Sequence, residues 1–330
     1  MELVRAARVA GNFCFVCLIA LMVFVARADG GLAQERPGSL TLELKLEIEK
    51  PAVTLGEPVY ATVRLINVGE MPVEVFKLLD PQTGALQIEV SSASKPRLVF
   101  LPLFYADAVR TRSALAPGKA VVAVFPIFYG ALGWTFDRPG TYRVTAEYRP
   151  QAGAQRERIR SSAVGVTVTD ENGIGASLLT GTVASEEAAK FLLWQRGDQL
   201  QAGQALLTNL LTQHPDSPVA EYAWLAFGRN LSRSFRNYAA GKIREADCEP
   251  ALSYFQRIRS DRLPLFLQIQ QRLDEARCFI KLSQPAKARD SMKRAEQLRD
   301  GRPEFNLAFQ QAIRLEPALG HRLDIDPVSP

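Results

Sequence analysis

Apolar and polar residues alternate along several short segments in the first half of the chain. In the first of these segments every second residue is apolar: Leu40, Leu42, Leu44, Leu46 and Ile48. A period of two is typical of a strand with one buried face. Further segments of this kind follow the turn signals at Pro58, Pro117-Gly118 and Pro139-Gly140. Seven or more short strands separated by turns predict a two-sheet β-sandwich over residues 40–170.

The apolar spacing changes near Ala184, after which apolar residues recur every third or fourth position. The clearest example follows the cap signal Ser217-Pro218, with a stripe formed by Val219, Tyr222, Ala223, Ala226 and Phe227. This spacing is typical of amphipathic helices. We therefore expect a linker over residues 171–184, helices over residues 185–316 and a flexible tail over residues 317–330. The predicted fold is multi-domain, β then α, with two independent cores.

Two segments of the β part carry a more specific resemblance. Leu55-Gly56-Glu57-Pro58-Val59 leads to Asn67-Val68-Gly69, and Arg138-Pro139-Gly140-Thr141-Tyr142 follows later. They resemble the paired strands of immunoglobulin-like domains found in many exported bacterial proteins. The resemblance covers about 130 residues and implies an immunoglobulin-like β-sandwich. It implies little about activity, since one fold serves many functions.

The helical part resembles tetratricopeptide repeats. Ala205 to Leu211, then Pro215, then Ala220 to Gly228 follow that family's order of second helix, proline and first helix. The segment from Ser232 to Asp247 breaks the family's period of about 34 residues. The resemblance implies a concave surface that binds a peptide or protein segment. Its candidate contact residues on the first helices are Tyr222, Trp224, Arg229, Arg277 and Lys281.

Aromatic residues gather near two glycines in the β part. Phe128, Tyr129 and Trp134 flank Gly130 and Gly133. One interpretation places these aromatics in the sandwich core. The other makes them a loop-borne apolar patch that docks a partner or the helical part.

The first 28 residues have the features of a secretory signal. Arg5 and Arg8 precede an apolar run from Phe13 to Val25, and Ala26-Arg27-Ala28 offers a cleavage site. A signal peptide over residues 1–28 predicts an exported protein, periplasmic or extracellular. An uncleaved anchor is the alternative, although the run is shorter than the ~20 residues that span a bilayer.

Export changes the expected role of the cysteines. Cys14 and Cys17 would leave with the signal, so that Cys248 and Cys278 remain. In an oxidising compartment such a pair favours a disulfide, with two buried free thiols as the alternative. Helix packing would need to bring the two Cα atoms within roughly 4.4–6.8 Å.

The inventory of reactive residues favours a protein without catalytic function. The chain has two histidines, His214 and His321, and neither sits among plausible catalytic partners. No cofactor and no metal site is expected. The net charge of +5 over 330 residues is too small to predict a nucleic-acid partner, and no membrane span is expected after signal cleavage.

The sequence therefore predicts a non-enzymatic extracytoplasmic protein that binds or scaffolds another protein, with its oligomeric state left open. The repeat helices would hold a protein or peptide segment. The alternative is an accessory protein that binds carbohydrate, or serves an envelope hydrolase, through exposed aromatics such as Trp134. Loss of saturable sugar binding in Trp134→Ala would favour that alternative.

Overall fold

A computed structural model describes residues 41–94, 96–104, 111–150, 158–170, 173–238 and 241–301. Several sequence-based predictions lie outside these residues. They are the signal peptide with Cys14 and Cys17, the flexible tail over residues 317–330, and the helices beyond residue 301.

The β region spans residues 41–170 and contains thirteen strands among its described residues. They are β1 (Leu42–Ile48), β2 (Ala52–Thr54), β3 (Tyr60–Asn67), β4 (Val73–Phe76), β5 (Leu86–Ser92), β6 (Leu98–Val99), β7 (Arg112–Leu115), β8 (Ala120–Pro126), β9 (Tyr129–Gly130), β10 (Gly133–Trp134), β11 (Gly140–Tyr148), β12 (Ile159–Arg160) and β13 (Val164–Thr169). Strand β1 is buried at every second residue, which confirms the predicted alternation.

Two main sheets face each other in the β region. The first has the order β1-β3-β8 and the second the order β2-β13-β11-β5-β6, with β12 paired to β11. The pair β2–β13 is parallel and the other pairs of these sheets are antiparallel. Strand β1 contacts β11 and β13 across the core. Val63, Ile88 and Val144 from both sheets are fully buried between them.

The helical region contains seven helices and one hairpin within the described residues. The helices are α1 (Ile174–Leu178), α2 (Val183–Trp194), α3 (Gln201–Gln213), α4 (Pro218–Leu231), α5 (Cys248–Phe255), α6 (Leu265–Lys281) and α7 (Pro285–Arg299). Strands β14 (Phe235–Asn237) and β15 (Lys242–Arg244) pair within the segment from Ser232 to Asp247. The prediction of a β-rich part followed by helices is therefore confirmed.

The helices pack mainly in consecutive pairs. Helix α2 packs against α3, α4 against α5, and α6 against α7. Ser217 caps α4 by accepting a hydrogen bond from the Ala220 amide, and Pro218 occupies the first turn, as the sequence predicts. Gly203 allows α3 to lie directly on α2, because a Cβ atom there would meet the backbone of Glu187 at 2.3 Å.

The two regions share one hydrophobic core, which differs from the expected two independent cores. A continuous cluster of buried residues runs from β1 to α6. The segment expected to be a linker contains α1, whose Leu178 is fully buried. Gly175 lies so close to Leu55 that a Cβ atom would come within 2.3 Å of its carbonyl oxygen. Periodicity shows which residues are buried, but it does not show what covers them.

Polar contacts also join the regions at the start of α6. The residue before this helix, Pro264, provides no side-chain cap. Instead the carboxylate of Glu49, next to β1, accepts hydrogen bonds from the Leu265 amide at 2.9 and 3.0 Å. Lys50 donates to the Arg262 carbonyl at 2.9 Å. The β region thus supplies the N-terminal cap of a helix in the helical region.

Candidate functional site

The structure corrects the prediction that residues of the first helices line an exposed concave surface. Tyr222, Trp224, Arg229 and Arg277 are all buried, and only Lys281, at the end of α6, is exposed among these five candidates. Helix α4 is enclosed by α2, α3, α5 and α6 together with β2, so that each residue from Val219 to Asn230 is buried.

Tyr222 and Trp224 occupy packing positions. The Nζ atom of Lys50 lies 5.7 Å from the centre of the Tyr222 ring. The Trp224 ring lies 5.6 Å from that of Tyr254, and the Arg257 guanidinium covers it at 4.7 Å. Burial raises the pKa of Tyr222, and the carboxylate of Glu57 raises it further. Neither ring is available to an incoming partner.

Arg229 and Arg277 neutralise a buried aspartate. Nε of Arg229 donates to Oδ2 of Asp274 at 2.8 Å, and Arg277 donates to Oδ1. Nη2 of Arg233 reaches both carboxylate oxygens, at 2.9 and 3.0 Å. Arg229 also donates to Gln195, whose amide contacts Tyr60 in β3. This cluster links α2, α4 and α6 to the β region.

Asp274, Arg229 and Tyr60, at the centre of this cluster, all have pKa values far from neutral pH. Burial alone would raise the pKa of Asp274, but Arg233, Arg229 and Arg277 together hold that pKa well below its usual range. Burial and the adjacent Arg233 lower the pKa of Arg229 to about 10. Burial raises the pKa of Tyr60. The aspartate and the arginine therefore remain charged and the tyrosine neutral, which suits a structural role.

The aromatic group near Gly130 divides between core and surface. Phe128 and Tyr129 are buried, and Trp134 is partly exposed. The Trp134 ring lies 5.7 Å from each of the other two rings. Gly130 permits the strand to approach Leu101, since a Cβ atom would lie 2.2 Å from its carbonyl oxygen. The core interpretation fits Phe128, whereas Tyr129 also borders the cleft described next.

A cleft of about 260 Å³ lies where the β region meets the end of α2. We call it the junction cleft. Its walls are aromatic side chains, prolines and aliphatic residues, with an aspartate and a glutamine at one side: Asp80, Pro81, Gln82, Phe100, Pro102, Leu103, Phe104, Val124, Phe125, Pro126, Tyr129, Leu193 and Trp194. Apolar clefts with a few polar groups are the usual form of a binding site.

Two aromatic residues of the junction cleft remain exposed to solvent. Phe104 is 50% exposed and Trp194 is 36% exposed. Trp194 is the last residue of α2, and Gln195 follows it in the left-handed conformation with φ of 54°. Exposed aromatic residues that belong to one apolar cleft often mark contacts with a partner, because aromatic residues are enriched in interfaces.

Asp80 gives the junction cleft a polar end. Its Oδ1 accepts a hydrogen bond from the Gln82 amide at 2.8 Å and so caps the short 3₁₀ turn Pro81–Thr83. Burial raises the pKa of Asp80, and the bond from Gln82 opposes that effect. The carboxyl group is thus fixed in position beside an apolar wall.

Trp194 was not among the binding residues predicted from the sequence. A signal was present, because Ala188, Phe191 and Leu192 form the buried stripe of α2 and Trp194 falls outside it. A large aromatic residue off the buried stripe of an amphipathic helix faces solvent or a partner. Phe104 gave no such signal, because it lies in an apolar segment in which another aromatic residue, Phe100, is buried in the core.

The predicted disulfide is confirmed. Cys248 at the start of α5 is bonded to Cys278 in α6, with the Cα atoms 5.0 Å apart. Both cysteines are buried. The bond adds a covalent link between the pair α4–α5 and the pair α6–α7, which the ion pair of Arg229 with Asp274 also joins.

The described residues hold no group of three or more His, Cys, Asp or Glu side chains arranged to hold a metal ion. Within the same part of the chain, no helix combines the length and apolar character required to cross a membrane. His214 lies exposed in the turn between α3 and α4.

Comparisons with known proteins give no family for this chain. No family model and no curated protein matches it. Among solved structures, the CARDB domain of the PF1109 protein from Pyrococcus furiosus, in complex with di-metal ions, is 14% identical over 39% of this chain and 94% of that chain, with a TM-score of 0.23.

Two further solved structures are similar at the same level. A β-glucosidase from Listeria innocua in complex with glucose is 15% identical, covering 38% of this chain and 16% of that chain, with a TM-score of 0.23. The sporulation control protein Spo0M from Bacillus subtilis is 14% identical over 42% of this chain and 54% of that chain, with a TM-score of 0.24. Scores this low support no conclusion about the function of this chain.

Proposed function

We propose that this chain is a non-enzymatic extracytoplasmic binding protein whose junction cleft holds an extended segment of another protein. In this proposal an immunoglobulin-like β-sandwich and tetratricopeptide-like helices form one body. The observation that carries it is the pair of exposed aromatic residues, Phe104 and Trp194, on a cleft built by both regions.

The lining of the cleft favours one kind of ligand. Grooves lined by aromatic residues bind proline-bearing segments in an extended conformation, because such segments lose little entropy on binding. Asp80 at one end favours a basic residue in the ligand. We therefore propose a proline-bearing segment with an arginine or lysine that reaches Asp80.

The disulfide and the signal-like N-terminus support the extracytoplasmic part of the proposal. Disulfides persist in oxidising compartments and are rare in reducing ones. The bond between Cys248 and Cys278 is therefore what an exported protein would carry.

The test is binding of short fluorescently labelled peptides that contain proline and one arginine, measured by anisotropy. Trp194→Ala should weaken binding roughly tenfold or more, because buried aromatic contacts dominate such interfaces. The matched control is Tyr238→Ala, which removes an aromatic residue that is 83% exposed in the hairpin loop. Equal affinity of the two variants would contradict the proposal.

Asp80→Asn tests the polar end separately. Asparagine also caps turns, so the local fold should be kept while the charge is lost. Binding of the arginine peptide should weaken, and binding of the same peptide with glutamine in that position should not change. A panel of neutral oligosaccharides in the same assay covers the carbohydrate alternative: saturable sugar binding that Trp194→Ala abolishes would replace the peptide proposal.

A further inference from the structure

The outer face of the second sheet carries a group of arginines that the junction cleft does not involve. Along β11 the residues Arg143, Thr145 and Glu147 point to one face, because side chains alternate along a strand. Glu147 is paired with Gln87 of β5 and with Arg160 of β12. We call this surface the arginine face, and its basic residues are Arg97, Arg143, Arg149, Arg158 and Arg160.

Glu89 organises one pair of these arginines. Arg97 and Arg160 each donate from Nη2 to a different oxygen of its carboxylate. Gln87 donates to the same carboxylate at 2.9 Å. The Glu89 side chain is buried, whereas those of Arg97 and Arg160 are 66% and 52% exposed. Burial alone would raise the pKa of Glu89, but the two arginines hold it below its usual range.

Glu147 organises a second pair in the same way. Nε of Arg149 donates to its Oε1 at 2.8 Å, and Nη1 of Arg158 lies 3.5 Å from the same oxygen. Glu147 is buried, and both arginines are more exposed than the carboxylate. The arrangement repeats that at Glu89: a buried carboxylate holds two guanidinium groups at the surface.

The arginine face keeps unused binding capacity for anions. Each guanidinium has five N–H donors, and these pairs direct only one or a few of them at the glutamates. Four arginines share two carboxylates, and the exposed Arg143 adds a further positive charge. A cleft of about 450 Å³ lies over the Glu89 pair, with the hydroxyl-bearing residues Ser91, Thr145 and Ser161 in its lining.

The spacing of the two pairs limits the ligand. Thr145 is paired with Glu89, so the glutamates that hold the two pairs, Glu89 and Glu147, lie diagonally across the β5–β11 ladder. Their backbone positions are about 7–8 Å apart. Single charges several ångströms apart are typical of a chain of acidic sugars. Inorganic polyphosphate carries its charges on neighbouring phosphorus atoms, which fits this spacing less well.

We propose that the arginine face binds an acidic polysaccharide. Carboxylates of the ligand accept hydrogen bonds from Arg97 and Arg160 in the cleft and from Arg149 and Arg158 beside it, as guanidinium–carboxylate pairs do. The hydroxyl groups of Ser91 and Thr145 contact the sugar. This site is separate from the junction cleft and does not depend on the proposed peptide binding.

Calorimetric titration with sodium polygalacturonate tests the proposal, with dextran as the neutral control. We expect wild-type protein to bind polygalacturonate with an affinity that falls as salt rises. Arg97→Gln combined with Arg160→Gln should raise the Kd at least tenfold. The matched control removes the same amount of charge from α7, where Arg289→Gln and Arg294→Gln replace two exposed arginines. The Kd of this control variant for polygalacturonate should stay within about twofold of the wild-type value.

Glu89→Gln tests whether the negative charge of Glu89 competes with the ligand for Arg97 and Arg160. It leaves both arginines in place and removes the charge that occupies them, so binding should equal or exceed that of wild type. Trp194→Ala should have no effect on polygalacturonate.

Four results would overturn the proposal. They are no binding of polygalacturonate by wild-type protein, equal losses in the two double variants, tighter binding of inorganic polyphosphate than of polygalacturonate, and equal binding of dextran.

Discussion

Three arginines of the helical region share the carboxylate of Asp274, and its burial decides what a substitution there would cost. The carboxylate is 1% exposed and contacts Arg229, Arg233 and Arg277. An ion pair of this kind adds little stability compared with apolar packing, but removing one partner leaves buried charge without compensation. The cluster therefore tolerates loss of the aspartate poorly.

Asp274→Asn should lower the free energy of unfolding by about 3–5 kcal/mol at neutral pH. Urea unfolding followed by circular dichroism measures the change. Asp290→Asn on the exposed side of α7 is the control and should change stability by less than about 0.5 kcal/mol.

The same pair of proteins gives a pH test. Because the folded-state pKa of Asp274 is lowered, its stabilising effect is complete above the unfolded value near 4 and is lost as pH falls toward the folded value. The difference between wild type and Asp274→Asn should thus shrink between about pH 5 and pH 2. A constant difference over that range would contradict the role given to this carboxylate.

Single residues were the hardest level to predict from the sequence. The bond between Cys248 and Cys278 was predictable because these are the two cysteines of the chain outside the predicted signal peptide. The burial of Arg229 was not, because its partner Asp274 lies 45 positions away. The arginine face was also missed, since its members come from separate strands and loops and show no spacing in the chain.

At the scale of elements, the close contact between α2 and α3 depends on Gly203. Its amide donates to the Glu187 carboxylate at 3.1 Å, and a Cβ atom would lie 2.3 Å from the backbone of α2. The two helix backbones therefore approach as closely as a glycine allows.

Gly203→Ala should destabilise the protein by about 1–3 kcal/mol, because the helices must move apart. Alanine is the better helix former by about 1 kcal/mol, so a stabilised variant would show that the contact is less tight than described. Thermal unfolding measures the effect. Gly165→Ala in β13, where no atom lies within 4 Å of the added Cβ, is the control.

Strands and helices with a strong periodicity were predictable, and short elements were not. Alternation in β1 and the cap at Ser217 located β1 and α4 well. The two-residue strands β9 and β10 and the five-residue helix α1 carry too few residues for a period to show. Helix α4 is apolar on nearly every side, since Ala220, Trp224 and Leu225 lie outside its main stripe. This pattern indicates a helix buried all round, but it does not show which elements cover it.

At the scale of the molecule, the β and helical regions form one folding unit. The described residues after Ser39 belong to one compact unit, and the core is continuous from β1 to α6. The candidate residues of α4 are covered by the protein's own elements, Tyr222 by Lys50 of the β region and Trp224 by Tyr254 of α5. The proposed binding site therefore lies in the junction cleft, where the β region meets the end of α2, and not on α4.

The whole protein should unfold in a single calorimetric transition, because one continuous core joins the two regions. The helical region expressed by itself should bind a dye that reports exposed apolar surface, since Tyr222 and its neighbours on α4 lose their cover. Two well-separated transitions, with the second equal to that of the isolated helical region, would contradict a shared core.

The cap that Glu49 provides has a consequence for the order of events during folding. Leu265 follows Glu49 by 216 residues, so the amide at the start of α6 is capped only after folding has brought these two positions together. Contacts between such distant positions are slow to form. The first turn of α6 should therefore become protected from hydrogen exchange later than the first turn of α4, which Ser217 caps from within its own segment.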